Sequence, residues 1–551
     1  MTWTTRPAPP ALRLALMMAL TVAAGCQGAG PEPHVAVVQT VVSPDDPEFA
    51  EMVALAERAH GAAAEAGATG AGPEPLHPAT LTSPKQTAMD AVDAESAALV
   101  AASLDIWGWA ELALAEERSS ARLADMLAAE GFAVERGVSD MPTAWVAEFG
   151  SGEPVVAYLA EFDALPGLSQ QALPRRVPRA GDPNTCGHGC GHNLFGAGSV
   201  GAAIALKRAM EAHGLPGTVR CYGTPAEEHG IGKVFMVRDG LFDDVDVCLS
   251  WHPSDENEVD VLPSKALRSF EVTFSGRSAH AAGAPWKGVS ALDAVEAFTT
   301  GINLLREHMP ESARIHYVVT DGGEAPNVIP ASASVWLFTR GKDWAEQEQV
   351  YQHVVRIVDG ADLMAWGEEH GDVEAGYRPP EIEMFTGLYH YNPNVAAARL
   401  LHRNLELVGA PAFTDAHHDF ARELQQAFGV PAVGMHDAIA PFDPDPEPEP
   451  GGSTDVANIS WVCPTIDLSV ANWPREVPAH SWASTAASGS EGAQLAMLTA
   501  AKVLACAGID ALTLPRLRAG MRAEFERAVA DFPYVSPVGD DDLPAVPSHL
   551  R

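Results

Sequence analysis

The sequence predicts an α/β protein: a mostly parallel sheet with helices on both faces, interrupted by a small inserted α+β domain of ferredoxin-like type. Three features lead there. Short apolar runs alternate with helical stretches, several of those runs end in polar residues, and the periodicity changes between about residues 266 and 376. Strands alternating with helices favour parallel pairing, because each parallel crossover needs a helix-sized connection.

At the amino terminus, Arg6 and Arg13 precede or flank the apolar run LALMMALTVA, and AAGC brings small residues up to Cys26. That order reads as an export signal. Its end resembles a bacterial lipobox, so residues 1–26 are expected to be a lipoprotein-type signal, with Cys26 lipidated. The mature protein would then be exported, touching a membrane only through its lipid. Residues 27–85 are rich in Ala, Gly, Pro and Glu and read as a tether.

The main domain should begin at residue 86 and run to 265. PVVAYLAEFDALP (154–166), GTVRCYGTPAEE (217–228) and DVDVCLSWHP (through 253) are each a β-rich run ending in polar residues. Between the first two, GAGSVGAAIALKRAMEAHG (196–214) is a small-residue helix stopped by Gly214. Ligands of such sheets gather at the carboxyl ends of the strands. Glu161, Asp163, Glu227, Glu228 and His252 should therefore share one rim.

The insert follows at 266–376. SFEVTFSG sets Phe270, Val272 and Phe274 on one face of a strand, and Leu292, Val295, Phe298, Ile302 and Leu305 recur near helical spacing. Strand-like ARIHYVVT and SASVWLFTR precede a second helix around Val350, Val354 and Val358, giving a β-α-β-β-α order. The main domain is expected to resume over 377–510, with 441–452 a solvated acidic loop and 511–551 a surface extension.

With 551 residues, 47% hydrophobic and 20% charged, the chain is long enough for two domains. Its net charge of −38 excludes nucleic acid as a partner, because phosphate neutralisation needs clustered cations, and reads as solubility. Apart from Cys26, six cysteines are too few for a disulfide scaffold, and Cys221 and Cys248 lie in apolar strand-like runs suited to the core.

The chemistry concentrates in TCGHGCGHN, where Cys186, His188, Cys190 and His192 alternate with glycine. Three readings are open. A closed zinc knot would need all four around one ion, whereas zinc modules bring ligand pairs from separated segments. A redox pair prefers C-x-x-C, which Cys186 and Cys190 miss. In the third reading, two of these residues join ligands from other strand ends: the carboxylates of PAEEHG, the imidazole of SWHP, and His480 in VPAHSW. Adjacent carboxylates suit metal-assisted hydrolysis, since one can hold metal while its neighbour faces the water.

AEFDALPGLSQQA, GHGCGHNLFG, GTPAEEHGIGKVFMVRDGLFDDVDVCLSWHP, SAHAAGAPWKGVSALDAV, APNVIPASASVWLFTRG and STDVANISWVCPTIDL with VPAHSW together resemble the M20 metallopeptidase superfamily. Within it they are most similar to the amidohydrolase branch that includes aminoacylases and auxin-conjugate hydrolases. The likeness runs over about residues 90–510, with the insert in the same place. It implies two divalent ions, manganese or zinc, held by Cys190, His192, Glu228, His252 and His480, with Glu227 as general base. Asp163 would orient a metal-binding imidazole, and His280 would polarise the substrate carbonyl, sometimes from a neighbouring subunit. Asn327 and Arg340 would hold the substrate's carboxylate or amide, whereas Cys186 and His188 do not match the family signature.

The implied reaction cleaves an amide bond to an amino acid in a small N-acyl or N-aroyl conjugate. A dipeptidase or carboxypeptidase with the same metal centre is the alternative. A non-catalytic exported binding protein is disfavoured, because every expected ligand and the base are present. The insert would serve as a lid and homodimer contact, and some relatives work with a homologous second subunit.

Overall fold

The computed structural model describes residues 80–179, 185–366, 377–447, 451–547 and 550, all within the unit Met52–Arg551. Cys26, the expected signal and most of the expected tether lie outside the described residues. The strands in chain order are β1 (Ala133–Arg136), β2 (Trp145–Ser151), β3 (Val155–Ala160), β4 (Gly217–Gly223), β5 (Val247–Ser254), β6 (Ala266–Ser275), β7 (Arg314–Asp321), β8 (Ser332–Gly341), β9 (Glu381–Leu388) and β10 (Thr465–Ala471).

The first sheet has the order β1-β2-β4-β3-β5-β10. Strands β4, β3, β5 and β10 run parallel, while β1 and β2 add an antiparallel margin. Every residue of β3 is buried, as its unbroken apolar run requires when both faces are covered. On one face, the Tyr158 hydroxyl donates to the Leu504 carbonyl of helix Glu491–Thr513 at 3.0 Å. On the other face Tyr222 stacks on Phe242, with ring centroids 4.3 Å apart.

Small residues let the helix His192–His213 approach the sheet closely. A Cβ at Gly198 would stand 2.8 Å from Trp251 of β5, inside van der Waals contact. Gly214 ends that helix in the left-handed region, with φ 62°. Helix Glu491–Thr513 is long and apolar enough to cross a membrane, but 83% of its apolar window is buried inside the fold, so it is a core helix here.

The second sheet is fully antiparallel, β7-β8-β6-β9, which is the ferredoxin-like strand order. Phe270, Val272 and Phe274 are fully buried against Val295, Phe298 and Ile302 of helix Ala291–Leu305, and Val350, Val354 and Val358 of helix Trp344–Trp366 complete that cluster.

Three boundaries differ from those read in the sequence. Strand β9 pairs with β6, so the second sheet continues beyond residue 376 and closes at Leu388. The strand Glu381–Leu388 carries its pairing in backbone bonds that hydrophobic patterning does not reveal. Residues 511–551 are not a surface extension over their described length. Met521 and Phe525 are buried, and Phe532 and Tyr534 join Trp344, Tyr389 and Trp461 in an aromatic cluster. Finally, the first described helix, Ser83–Trp109, starts inside the expected tether.

That helix is anchored at its first turn. The Lys85 ammonium, 1% exposed, donates to Asp510 at 2.7 Å and to Asn404 at 3.0 Å, and Asn404 also donates to Asp510. Removing one member of a buried ion pair leaves the other without its charge partner. Lys85→Ala is therefore expected to lower the unfolding free energy by about 3 kcal/mol in a denaturant titration. An unchanged midpoint would show the anchor to be dispensable.

Candidate active site

The carboxyl ends of β3, β4 and β5 deliver Glu161 and Asp163, Glu227 and Glu228, and His252 to one rim. Above them sits the glycine-rich run. At Gly187 a Cβ would collide with the Leu168 carbonyl oxygen and crowd Thr485, so the backbone fits there only without a side chain. Gly191, with φ 79°, turns the chain so that His192 becomes the first residue of its helix.

His192 is the hub. Its Nδ1–H donates to Asp163 Oδ1 at 2.8 Å, while the Glu228 amide donates to Asp163 Oδ2 at 2.9 Å. One carboxylate thus fixes both the imidazole and the adjacent acidic turn. Burial alone would raise the Asp163 pKa, but His192, the Glu228 amide and Lys233 together hold the group below the usual aspartate value. With Nδ1 donating, the lone pair of His192 sits on Nε2. That atom is buried without a hydrogen-bond partner and faces Glu161 Oε2 at 3.2 Å and Glu227 Oε2 at 3.9 Å. Two acceptors in that relation need a proton or a cation between them. Burial would lower the His192 pKa, but Cys190, Glu161 and Asp163 together hold it well above normal.

His252 is fixed in the same manner. Its Nδ1–H donates to the Pro253 carbonyl at 2.7 Å, so the Nε2 lone pair faces Cys190 Sγ at 3.4 Å. Burial, then His192, push its pKa down to about 3, which keeps the ring neutral. His480 Nε2 lies 3.5 Å from Glu228 Oε2, and the His480 amide donates to the Gly189 carbonyl. Burial, with Glu227 adding to it, pushes the Glu228 carboxyl well up, and Glu228 Oε1 is buried without a hydrogen-bond partner. Burial, then Glu228, push the Cys190 thiol up.

Donor atoms of Cys190, His192 and His252 lie within 4.8 Å of one another, as do those of Cys190, Glu228 and His480. A third such group joins Glu161, His192 and Glu227. Imidazole lone pairs, a thiol and unpartnered carboxylate oxygens in this packing fit divalent cations, with Cys190 common to two positions. The imidazole Nδ1 partners are the orienting contacts such a site requires.

Glu227 stands beside these donors. The Thr454 hydroxyl donates to its Oε1 at 2.9 Å, and burial, then Glu161, raise its pKa to about 7. The turn that carries it bends at Ala226, φ 59°, whose amide donates to the buried Glu116 at 2.9 Å. Lys233, fully buried, pairs with Glu161 at 2.8 Å and with Asp455 at 2.5 Å.

Of the residues read from the sequence, Cys190, His192, Glu227, Glu228, His252, His480 and Asp163 come together. His280 and Asn327 do not: both are exposed on the second sheet's loops, outside the three donor groups found among the described residues. Arg340, at the end of β8, donates to Ser453 at 2.7 Å, one residue from Thr454. His188 turns away to the Ile106 carbonyl, and Cys186 packs with Ala110 and Ala164. Glu116, Lys233, Thr454 and Asp455 escape sequence reasoning. A lysine in the apolar run GIGKVFMV and the polar triplet STD were the available signals.

Fold and donor cluster together define a mixed α/β protein with a candidate metal centre at the carboxyl ends of its parallel strands. Residues 157–484 match the model described as peptidase family M20/M25/M40. One of the subunits of the p-aminobenzoyl-glutamate hydrolase of Escherichia coli K12 is 34% identical over 484 residues, covering 83% of this chain and 98% of that one. The Xaa-Arg dipeptidase of Mus musculus is 30% identical over 454 residues, covering 80% and 92%. The crystal structure of an aminobenzoyl-glutamate utilization protein from Klebsiella pneumoniae shares the fold, with TM-score 0.52, 20% identity and coverage of 78% and 99%. The chain belongs to peptidase family M20/M25/M40 and is a hydrolase of amide bonds.

Gly187→Ala is expected to lower the melting temperature and weaken divalent-cation binding measured by titration calorimetry. Gly360→Ala, where nothing lies within 4 Å of the added Cβ in helix Trp344–Trp366, should instead stabilise by roughly 0.5–1 kcal/mol. A Gly187→Ala protein matching wild type would contradict the packing argument.

Proposed function

We propose that this chain is a two-metal amidohydrolase that releases an amino acid from an N-acyl or N-aroyl conjugate. The observation that carries the reading is the pair of three-donor groups sharing Cys190. When bound there, two divalent cations, manganese or zinc, supply Lewis acidity that acidifies the attacking water and polarises the scissile carbonyl. The chain's own residues do the rest. Glu227 Oε2 takes the proton as the water oxygen attacks the carbonyl carbon, and returns it to the amine nitrogen as the C–N bond breaks. Burial lifts Glu227 to about 7, and added cationic charge nearby brings it back toward an ionised base at neutral pH.

Arg340 is read as the anchor for the substrate carboxylate. Its guanidinium is half-buried and its pKa is lowered by burial, a cost that an incoming carboxylate would offset. His280 is read as the group that polarises the carbonyl from a second copy. Strand β7 is one edge of the second sheet and exposes Val318 and Val319, which supports pairing between copies. The 30% identity to an Xaa-Arg dipeptidase favours a second reading, in which a dipeptide is the substrate.

Turnover of p-aminobenzoyl-glutamate, N-acetyl amino acids and dipeptides, after reconstitution with manganese or zinc, separates the two readings. Glu227→Gln should lose at least about 100-fold in kcat with cation content unchanged. Glu228→Ala should lose cation and activity together, and Arg340→Met should raise KM for substrates bearing a carboxylate. A Glu227→Gln protein with normal turnover would remove the base from the mechanism. Mixing inactive Glu227→Gln and His280→Ala proteins should restore activity if His280 serves a neighbouring copy, and no recovery would contradict that assignment.

A further inference from the structure

Three consecutive side chains, Ser453, Thr454 and Asp455, each hold a different part of the site. Ser453 Oγ accepts from Arg340 at 2.7 Å, Thr454 Oγ1 donates to Glu227 Oε1 at 2.9 Å, and Asp455 Oδ1 accepts from the buried Lys233 at 2.5 Å. Asp455 Oδ2 also accepts the Lys233 backbone amide at 3.0 Å, which clamps the segment to the start of helix Gly232–Arg238. Asp455 and Lys233 are both fully buried, so the middle residue hangs from a fixed support.

The direction of the Thr454 hydroxyl follows from its other partner. The Val456 amide donates to Oγ1 at 3.3 Å, using that oxygen as an acceptor, so the hydroxyl proton is free to point at Glu227. Glu227 Oε1 is thereby occupied, and Oε2 is the oxygen turned toward His192 and the donor cluster. A carboxylate held by one oxygen keeps one rotamer and one open lone-pair set, which is what a proton acceptor near a reacting water requires.

We infer that Thr454 is a positioning residue for the general base, and that the segment Ser453–Asp455 ties the aim of Glu227 to the seat of Arg340. The inference rests on the proposed role of Glu227. The Thr454 hydroxyl bonds to Glu227 and the Val456 amide and to none of Cys190, His192, Glu228, His252 or His480, so its removal should misdirect the base without emptying the two groups that share Cys190.

The test uses the full-length, manganese-reconstituted protein with its fastest substrate from the panel above. Thr454→Val keeps the shape and removes the hydroxyl; Thr454→Ser restores it. Thr454→Val is expected to lower kcat by roughly 10- to 100-fold, with KM within twofold and metal content unchanged, because displacement of a catalytic group on the scale of 1 Å costs on that order. Thr454→Ser should recover most of the lost kcat. Normal kcat in Thr454→Val, with Glu227→Gln inactive, would overturn the positioning role and leave the base in place. Equal loss in Thr454→Val and Thr454→Ser, or loss of metal from either, would also overturn it by marking the site as structural. Activity in Glu227→Gln would instead fault the reading on which the inference rests.

Discussion

Negative charge without enough positive charge to meet it is the constraint around which this molecule is organised. Glu161, Asp163, Glu227, Glu228 and Asp455 converge in a region from which most water is excluded, and Lys233 is the ammonium that pairs with two of them. Buried carboxylates are costly unless paired or hydrogen-bonded. Burial raises the pKa of Glu161, Glu227, Glu228 and Asp455 accordingly, the direction expected of acids awaiting a proton or a cation. Asp163 escapes because His192 and the Glu228 amide satisfy its two oxygens. The same two bonds lock the geometry of the centre, so electrostatic tension and structural order have one source.

Packing brings these groups together from far apart in the chain. Parallel pairing of β3, β4 and β5 aligns three loops at one end of the sheet, and close approach of the glycine-rich run sets His192 above them. Glu116 pins Ala226 from behind, and Asp455 pins Lys233 from the side. Each support is itself buried, so the acidic turn has little freedom to relax. The cost in stability falls where the chemistry is, as expected of functional sites in general.

Much of this was legible in the sequence, for identifiable reasons. The parallel strands announce themselves through apolar runs ending in acids or histidine, and the second sheet through the alternation of Phe270, Val272 and Phe274. Motifs carry Cys190, His192 and the two adjacent glutamates. What stays hidden depends on contacts that no local pattern encodes. Lys233 sits in an apolar stretch and reads as a helix residue until Glu161 and Asp455 are seen around it. The carboxyl-terminal aromatics look like a loose tail until Tyr534 is found against Tyr389, 4.8 Å between centroids. Strand β9 reads as part of the main domain because its pairing partner, β6, lies more than a hundred residues earlier. His280 and Asn327 rest on family likeness alone, and a single chain leaves them apart from the donors.

Everything proposed for this site requires that the two donor groups containing Cys190 hold cations. Anomalous diffraction from crystals grown with manganese, with data collected on either side of its absorption edge, locates any such cations. Two peaks are expected beside Cys190, one among His192 and His252, the other among Glu228 and His480. A map with no peak among these five side chains, at cation concentrations that support turnover, would contradict that requirement.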